Sequence, residues 1–286
     1  KPHPPFDPCR DFWELYDNIP MPDAVTGDWS RTVEETPQGF LAGAYENTNL
    51  HLLGKAQRAA SKRAYYACIT QVDYALGRIF GCLRENDLFK NTWVIFTADH
   101  GEMLGDHHMS QKNLFFEGSA HVPLLIMPPQ GRSLPHNISV EAPTDLVDIY
   151  PTILAMAGLS SPVSVSGKNL LEPVPMDRMF FGNSLNKNFC VMEEKVKLVY
   201  SAVGDHVLLF DLNTIISQRT LPGRSARQSS GSFCWSTPHS TRLRRWTKTV
   251  SSLPTKPPIF PVMYPDGGLA SIIMIIPWIR STKGCG

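Results

Sequence analysis

The stretch that decides the fold is Asn91–Met127, NTWVIFTADHGEMLGDHHMSQKNLFFEGSAHVPLLIM. An apolar strand, Trp93–Thr97, runs straight into Ala98, Asp99, His100 and Gly101, and a second apolar strand, Val122–Met127, follows. Between them lie Glu102, Asp106, Glu117, His107, His108, His121 and a single lysine, Lys112. A buried strand that ends on Asp-His-Gly delivers ionisable groups to the carboxyl edge of a sheet. Open α/β sheets bind their ligands at that edge.

Working outward, residues 55–85 form the clearest helical pattern. Tyr65, Ile69, Val72, Leu76, Ile79 and Leu83 recur at three- and four-residue steps with charges between them. Asn86 and Asp87 end that helix, and the chain turns into the strand at Trp93. This passage is one α/β layer. Upstream, residues 1–50 are loop-rich. The segment KPHPPFDP is extended because proline cannot continue a helix, Asp11–Tyr16 allows one or two helical turns, and the aromatics Phe6, Phe12, Trp13 and Trp29 suit a surface strap carrying substrate contacts. Downstream, Thr144–Ala157 reads as a helix stopped by Gly158. Pro151 makes it broken or late-starting. Residues 160–190 read as irregular. Lys195–Ser201 and His206–Leu212 alternate like strands around Gly204-Asp205, a hairpin-compatible turn.

The 286 residues are 42% apolar, enough for a substantial core. Their net charge of +1 hides an asymmetry. Residues 211–286 hold ten Lys/Arg against two Asp/Glu, whereas the rest holds 17 against 24. Three parts follow: a catalytic α/β part over 1–190, the start of an antiparallel subdomain over 191–212, and a basic Ser/Thr-rich tail over 213–286. The tail reads as disordered, as a divergent subdomain, or as a shifted reading frame, and the abrupt change near Asp211–Thr214 favours the last. It lacks the aromatic spacing of a nucleic-acid binder. The apolar run Ser271–Ile276 is far too short to span a membrane. Six cysteines, widely spaced and without a C-x-x-C pair, give neither a zinc motif nor a disulfide framework. One sequon, Asn137-Ile138-Ser139, is present.

Asp99 and His100 can both ligate a divalent cation. Adjacent side chains on extended backbone point apart, so a tight turn at Gly101 is needed to aim them at one ion. The other reading is a capping aspartate beside a satisfied histidine. Lys112, the one cation between Asn91 and Arg132, could hold an anionic substrate as a point charge or simply lie on the surface. His3, flanked by prolines, could be an acid/base or anion-binding group. Of His107 and His108, one could orient a ligand while the other meets solvent. No G-x-S-x-G, P-loop or G-x-G-x-x-G supplies a nucleophile or a phosphate cradle.

With these residues laid out, the chain resembles the sulfatase family of the alkaline-phosphatase-like superfamily, which also holds phosphonate monoester hydrolases. The matching blocks, in family order, are KPHPPFDP, RAYYACITQVDYALGRI, WVIFTADHGEMLGDHHMSQKNLFFEGSAHVPLLI, PTDLVDIYPTILAMAGL and VKLVYSAVGDHVLLFDL, together covering the region 1–212. The resemblance implies an α/β fold, an alkaline-phosphatase-like mixed sheet flanked by helices, with the start of a small C-terminal antiparallel sheet. It implies Asp99 and His100 as ligands of calcium, or of another divalent cation such as manganese, and Lys112 and His3 as catalytic contacts to the sulfate or phosphate group. The substrate it implies is a small-molecule or carbohydrate sulfate ester. The alternatives are a phosphonate or phosphate ester hydrolase and a catalytically inactive chain.

The family's nucleophile is a formylglycine made from a Cys or Ser in a C-x-P-S-R-like motif. Its hydrated form attacks sulfur, the alcohol leaves, and sulfate is then expelled. No C-x-P-S-R occurs in these residues. The family's N-terminal metal aspartates are also unmatched. The expectation is therefore the C-terminal part of a sulfatase, with half of an active site, weak calcium binding and poor folding in isolation.

Overall fold

Strand β1 (Thr92–Thr97) is the centre of the structure, a computed structural model. Five of its six residues are buried, which suits an apolar strand covered on both faces. The structure describes residues 2–45, 53–132, 134, 137–185, 187–212 and 272–277. These lie in one of two compact units, Lys1–Leu221 with Leu269–Gly286.

Among the described residues, three α-helices precede β1. Helix α1 (Arg10–Glu14) is short, as the one or two turns expected there. Helix α2 (Gln38–Tyr45) had no sequence signal, since Gly39 and Gly43 disfavour helix. Burial drives it instead: Phe40 and Leu41 are 0% and 1% exposed. Gly39 is required there, because a Cβ would stand 1.8 Å from the Val203 carbonyl oxygen. Helix α3 (Lys55–Glu85) spans the expected residues. Gln57 Oε1 accepts the Gly54 N–H at its start, and Asn86 Nδ2 donates to the Cys82 carbonyl at its end. Its buried face differs from the expected one. Ala64, Ala67, Cys68, Leu76 and Leu83 are buried, whereas Ile69 and Ile79 are exposed. The buried line is thus displaced from Ile69 and Ile79 and carries several small residues.

After β1 come the short helix α4 (Glu117–Ala120) and strand β2 (Leu124–Met127). Strand β2 pairs antiparallel with β1 in the register Ile95↔Ile126. On the other side of β1 lies β7 (Ile272–Pro277), also antiparallel, with Ile95 opposite Met274. The apolar run in the tail is thus a sheet strand in the order β2-β1-β7. The readings of 213–271 and 278–286 lie outside the described residues. Helix α5 (Ile149–Met156) covers one face of the sheet, Met156 and Ile153 packing with Trp93, Ile95, Leu124 and Ile126. It starts late, after a 3-10 turn at Leu146–Asp148, and Pro151 falls in its first turn where no N–H is needed.

The second sheet is an antiparallel meander in the order β3-β4-β5-β6. Strands β5 (Val196–Ser201) and β6 (His206–Asp211) form the expected hairpin, with Gly204 and Asp205 at φ 79° and 54°. Strands β3 (Met179–Ser184) and β4 (Asn188–Glu193) lie in and beyond the stretch read as irregular. In β3 burial alternates from Phe180 to Ser184, but the inward places hold Phe180, Gly182 and Ser184, and in β4 the apolar run Phe189–Met192 does not alternate, so no period of two was visible in the residues.

The loop between β1 and β2 is not a polar surface loop. Met103, Met109, Leu114 and Phe116 are at most 3% exposed and form a core with Phe40, Leu41, Val199, Leu208 and Phe210. The loop is thereby fastened to α2 and to the second sheet.

Candidate active site

The turn after β1 is built by close backbone approach. Gly101 N–H donates to the Ser119 carbonyl at 2.8 Å. A Cβ on Gly101 would lie 2.2 Å from the Gly118 carbonyl oxygen. Only glycine fits, and its presence lets the chain fold back beneath Asp99 and His100.

Those two side chains converge. Asp99 Oδ1 accepts the His100 backbone N–H at 2.9 Å, and Asp99 Oδ2 lies 3.7 Å from His100 Nε2. His100 Nδ1 lies 2.8 Å from the Gly101 carbonyl oxygen. A carbonyl only accepts, so Nδ1 carries the proton and Nε2 presents its lone pair beside the carboxylate. A carboxylate oxygen and an imidazole nitrogen at this separation suit neighbouring ligand positions on one divalent cation, and the bond from Nδ1 to a carbonyl is the outer support such a histidine uses. The donor set therefore fits a cation. Among the described residues no group of three His, Cys, Asp or Glu side chains gathers into a fuller ligand set.

Lys112 and His3 also meet. Lys112 Nζ lies 2.7 Å from His3 Nε2. His3 Nδ1 is 2.8 Å from the Pro4 carbonyl, so it donates there, and Nε2 accepts from the ammonium. The His3 and His100 rings stand edge to face, their centroids 6.2 Å apart. All four residues singled out in the sequence thus gather at one end of β1.

The loop that carries Lys112 is held in unusual backbone conformations. Leu104, His107, His108, Gln111 and Asn113 have φ between 49° and 74°. Each left-handed non-glycine costs about 1–2 kcal/mol, and such residues persist only where their surroundings hold them. Part of the hold is Glu102, 9% exposed. Its Oε1 accepts the N–H groups of Leu104 and Gln111. Burial pushes the Glu102 carboxyl above the ordinary range, and those two amides, with Lys112 and His100, pull it only partly back. Burial and then Glu102 push the Tyr65 phenol up to about 12.

The other loop histidines do different work. His107 is 3% exposed, bonds to Ser30 Oγ at 2.8 Å and stacks on Trp29 at 4.5 Å. His108 Nε2 donates to the Ser30 carbonyl at 3.0 Å. Asp106 accepts the Val25 N–H. This turn pins the strap to the core. Of the strap aromatics, Trp29 stacks on Phe116, Phe6 packs on Tyr65, Phe12 on Tyr74, and Trp13 lies under Arg63. Within the strap it is His3 that reaches the Lys112–His100 cluster.

A family model described as Sulfatase matches residues 2–159, more than half of the chain. An arylsulfatase of Clostridium perfringens is 33% identical over 173 residues, 60% of this chain and 35% of that protein. Arylsulfatase K of Canis lupus familiaris is 37% identical over 171 residues, 59% of this chain and 29% of that protein. The chain thus spans about a third of the length of these curated relatives. Among solved structures, a phosphonate monoester hydrolase from Silicibacter pomeroyi aligns with a TM-score of 0.67 over 88% of this chain and 53% of that one, at 24% identity. That likeness establishes the α/β, alkaline-phosphatase-like fold. With the matched model running from the His3 strap through β1, Lys112 and α5, the chain belongs to the sulfatase family.

Proposed function

We propose that these residues are the cation-facing and anion-facing part of a sulfuric ester hydrolase. Asp99 and His100 would hold calcium, or another divalent cation such as manganese. Lys112 and His3 would hold the sulfate group of an aryl or carbohydrate ester. The observation that carries this reading is the Lys112–His3 contact beside the Asp99–His100 turn. A neutral histidine fixes the ammonium without cancelling its charge, as a carboxylate partner would. Two N–H groups of Lys112 remain for an oxyanion. A sulfate ester is anionic, and negative charge grows on its leaving oxygen as the S–O bond breaks. A fixed cation aimed at that position stabilises the transition state.

A bound divalent cation would supply Lewis-acid polarisation of the substrate oxygens. The chain's own residues bind, orient and neutralise. The formylglycine expected of the family has no matching motif here. A second reading, a phosphonate or phosphate ester hydrolase, draws on the same observation, because Lys112 and His3 recognise oxygens on a tetrahedral centre and do not distinguish sulfur from phosphorus.

The test compares kcat/KM on 4-nitrophenyl sulfate and on 4-nitrophenyl phenylphosphonate, using the protein that carries these residues. We expect sulfate to be favoured by at least about tenfold. A preference for the phosphonate would replace the first reading with the second. The cation assignment is checked apart from turnover by calorimetric titration with calcium, in which Asp99→Ala should abolish the binding heat. An unchanged heat would refute it.

A further inference from the structure

The geometry points to Glu102 as a positioning residue for Lys112, coupling the Asp99–His100 turn to the anion-binding lysine. This rests on the reading of Lys112 given above. Lys112 sits between two left-handed residues, Gln111 at φ 64° and Asn113 at φ 74°. Each is tied down separately. The Asn113 carbonyl accepts from Asn188 Nδ2 at 3.2 Å, and Asn188 is 1% exposed on β4. The Gln111 N–H donates to Glu102 Oε1. Met103 N–H donates to the Gln111 carbonyl at 2.9 Å, so both backbone groups of Gln111 are bonded to the residues just after the Asp99–His100 turn.

Glu102 lies two residues beyond His100 and is buried, with Oε1 committed to backbone amides. Its carboxylate therefore acts on the loop. It holds Gln111 in a conformation the chain would otherwise leave, and so sets where the Lys112 side chain departs from the backbone. Any shift of the Asp99–His100 turn is passed to Lys112 through this bond, keeping cation and ammonium in fixed relation. A misplacement of about 1 Å in such a group costs on the order of a hundredfold in rate.

The experiment reads the Lys112–His3 contact itself. The ¹⁵N shift of His3 Nε2 is recorded by NMR in the wild type, Lys112→Ala, Glu102→Ala and Glu102→Gln. We expect Glu102→Ala to move the His3 resonance in the same direction as Lys112→Ala. Glu102→Gln, which keeps an acceptor oxygen, should restore most of the wild-type shift. On 4-nitrophenyl sulfate, Glu102→Ala should lower kcat/KM on the order of a hundredfold in the wild type, but by less than about threefold in the Lys112→Ala background. Should Glu102→Ala not fold, Glu102→Asp, one methylene shorter, carries the same comparison. An unmoved His3 resonance, or equal losses in both backgrounds, overturns the positioning role. Absence of turnover in a protein that carries these residues together with the family's nucleophile would contradict the proposed function instead, and the His3 resonance would still decide the role of Glu102.

Discussion

Lys112 Nζ donates to His3 Nε2 at 2.7 Å across 109 positions of sequence. The histidine is held as an acceptor by its own bond to the Pro4 carbonyl. The lysine side chain is thus held in place by a partner that is not a carboxylate. Removing His3 should free the ammonium to reach solvent. We expect His3→Ala to lower kcat/KM on an aryl sulfate by roughly tenfold. In the Lys112→Ala background the same change should cost almost nothing, because the two residues act as one unit. Steady-state kinetics of the two single variants and the double variant check this.

Gly101 sits where the backbone passes closest to the loop. A Cβ there would meet the Gly118 carbonyl oxygen at 2.2 Å. We expect Gly101→Ala to cost about 1–3 kcal/mol in urea unfolding, and to weaken calcium binding by displacing His100. Unchanged stability together with unchanged calcium affinity would show that the turn tolerates a side chain.

Asp148 holds a second junction together. Its side chain is fully buried and takes two bonds from Arg178, together with the N–H groups of Lys168 and Asp145. Burial alone would raise its pKa, and these donors outweigh that and hold it below the ordinary value. Removing one partner leaves a buried charge uncompensated. We expect Arg178→Ala to destabilise by about 3–5 kcal/mol, measured by denaturant unfolding.

Glu117 gives the stability a pH dependence. Burial pushes its carboxyl up, but His121 and the buried Lys197 bond to it and bring it to about 2, against an ordinary 4.5. A folded-state pKa below the unfolded value adds stability at pH above 4.5 that is lost as pH falls toward about 2. The His121 pKa is raised by the Glu117 bond, so its share is present below 6.5 and fades as pH rises through the folded value. Glu117 is partly exposed, so the pair with Lys197 is worth about 1 kcal/mol. Melting curves should show the wild type losing its advantage over Glu117→Gln between pH 4.5 and about 2. A constant difference across that range would contradict the assignment.

The sequence made some of this legible and hid the rest for physical reasons. An apolar run ending on Asp99-His100-Gly101 announces a strand with ionisable groups at its end, because burial and charge change abruptly there. Helix α3 was legible from its long run of helix formers. Its buried face was not, because packing chose Ala64, Ala67 and Cys68 over Ile69 and Ile79. The core of the Lys112 loop was hidden too. Met103, Met109, Leu114 and Phe116 follow no helical or strand period, and left-handed residues between them aim the side chains inward. Strand β3 was missed because its inward places include Gly182 and Ser184 beside Phe180, and β4 because its apolar run Phe189–Met192 does not alternate. His3 could be noticed in the sequence, but its hydrogen bond to Lys112 depends on tertiary structure. Glu102 drew no separate reading, since its burial and its bond to Gln111 exist only in the folded loop.

The most direct measurement is the effect of Lys112→Ala on hydrolysis of 4-nitrophenyl sulfate, with the melting temperature recorded in parallel. If Lys112 is the fixed cation for the sulfate oxygens, kcat/KM falls on the order of a hundredfold or more while the melting temperature stays within a few degrees. A kcat/KM within about twofold of the wild type, in a protein that folds and turns over the ester, would contradict that role.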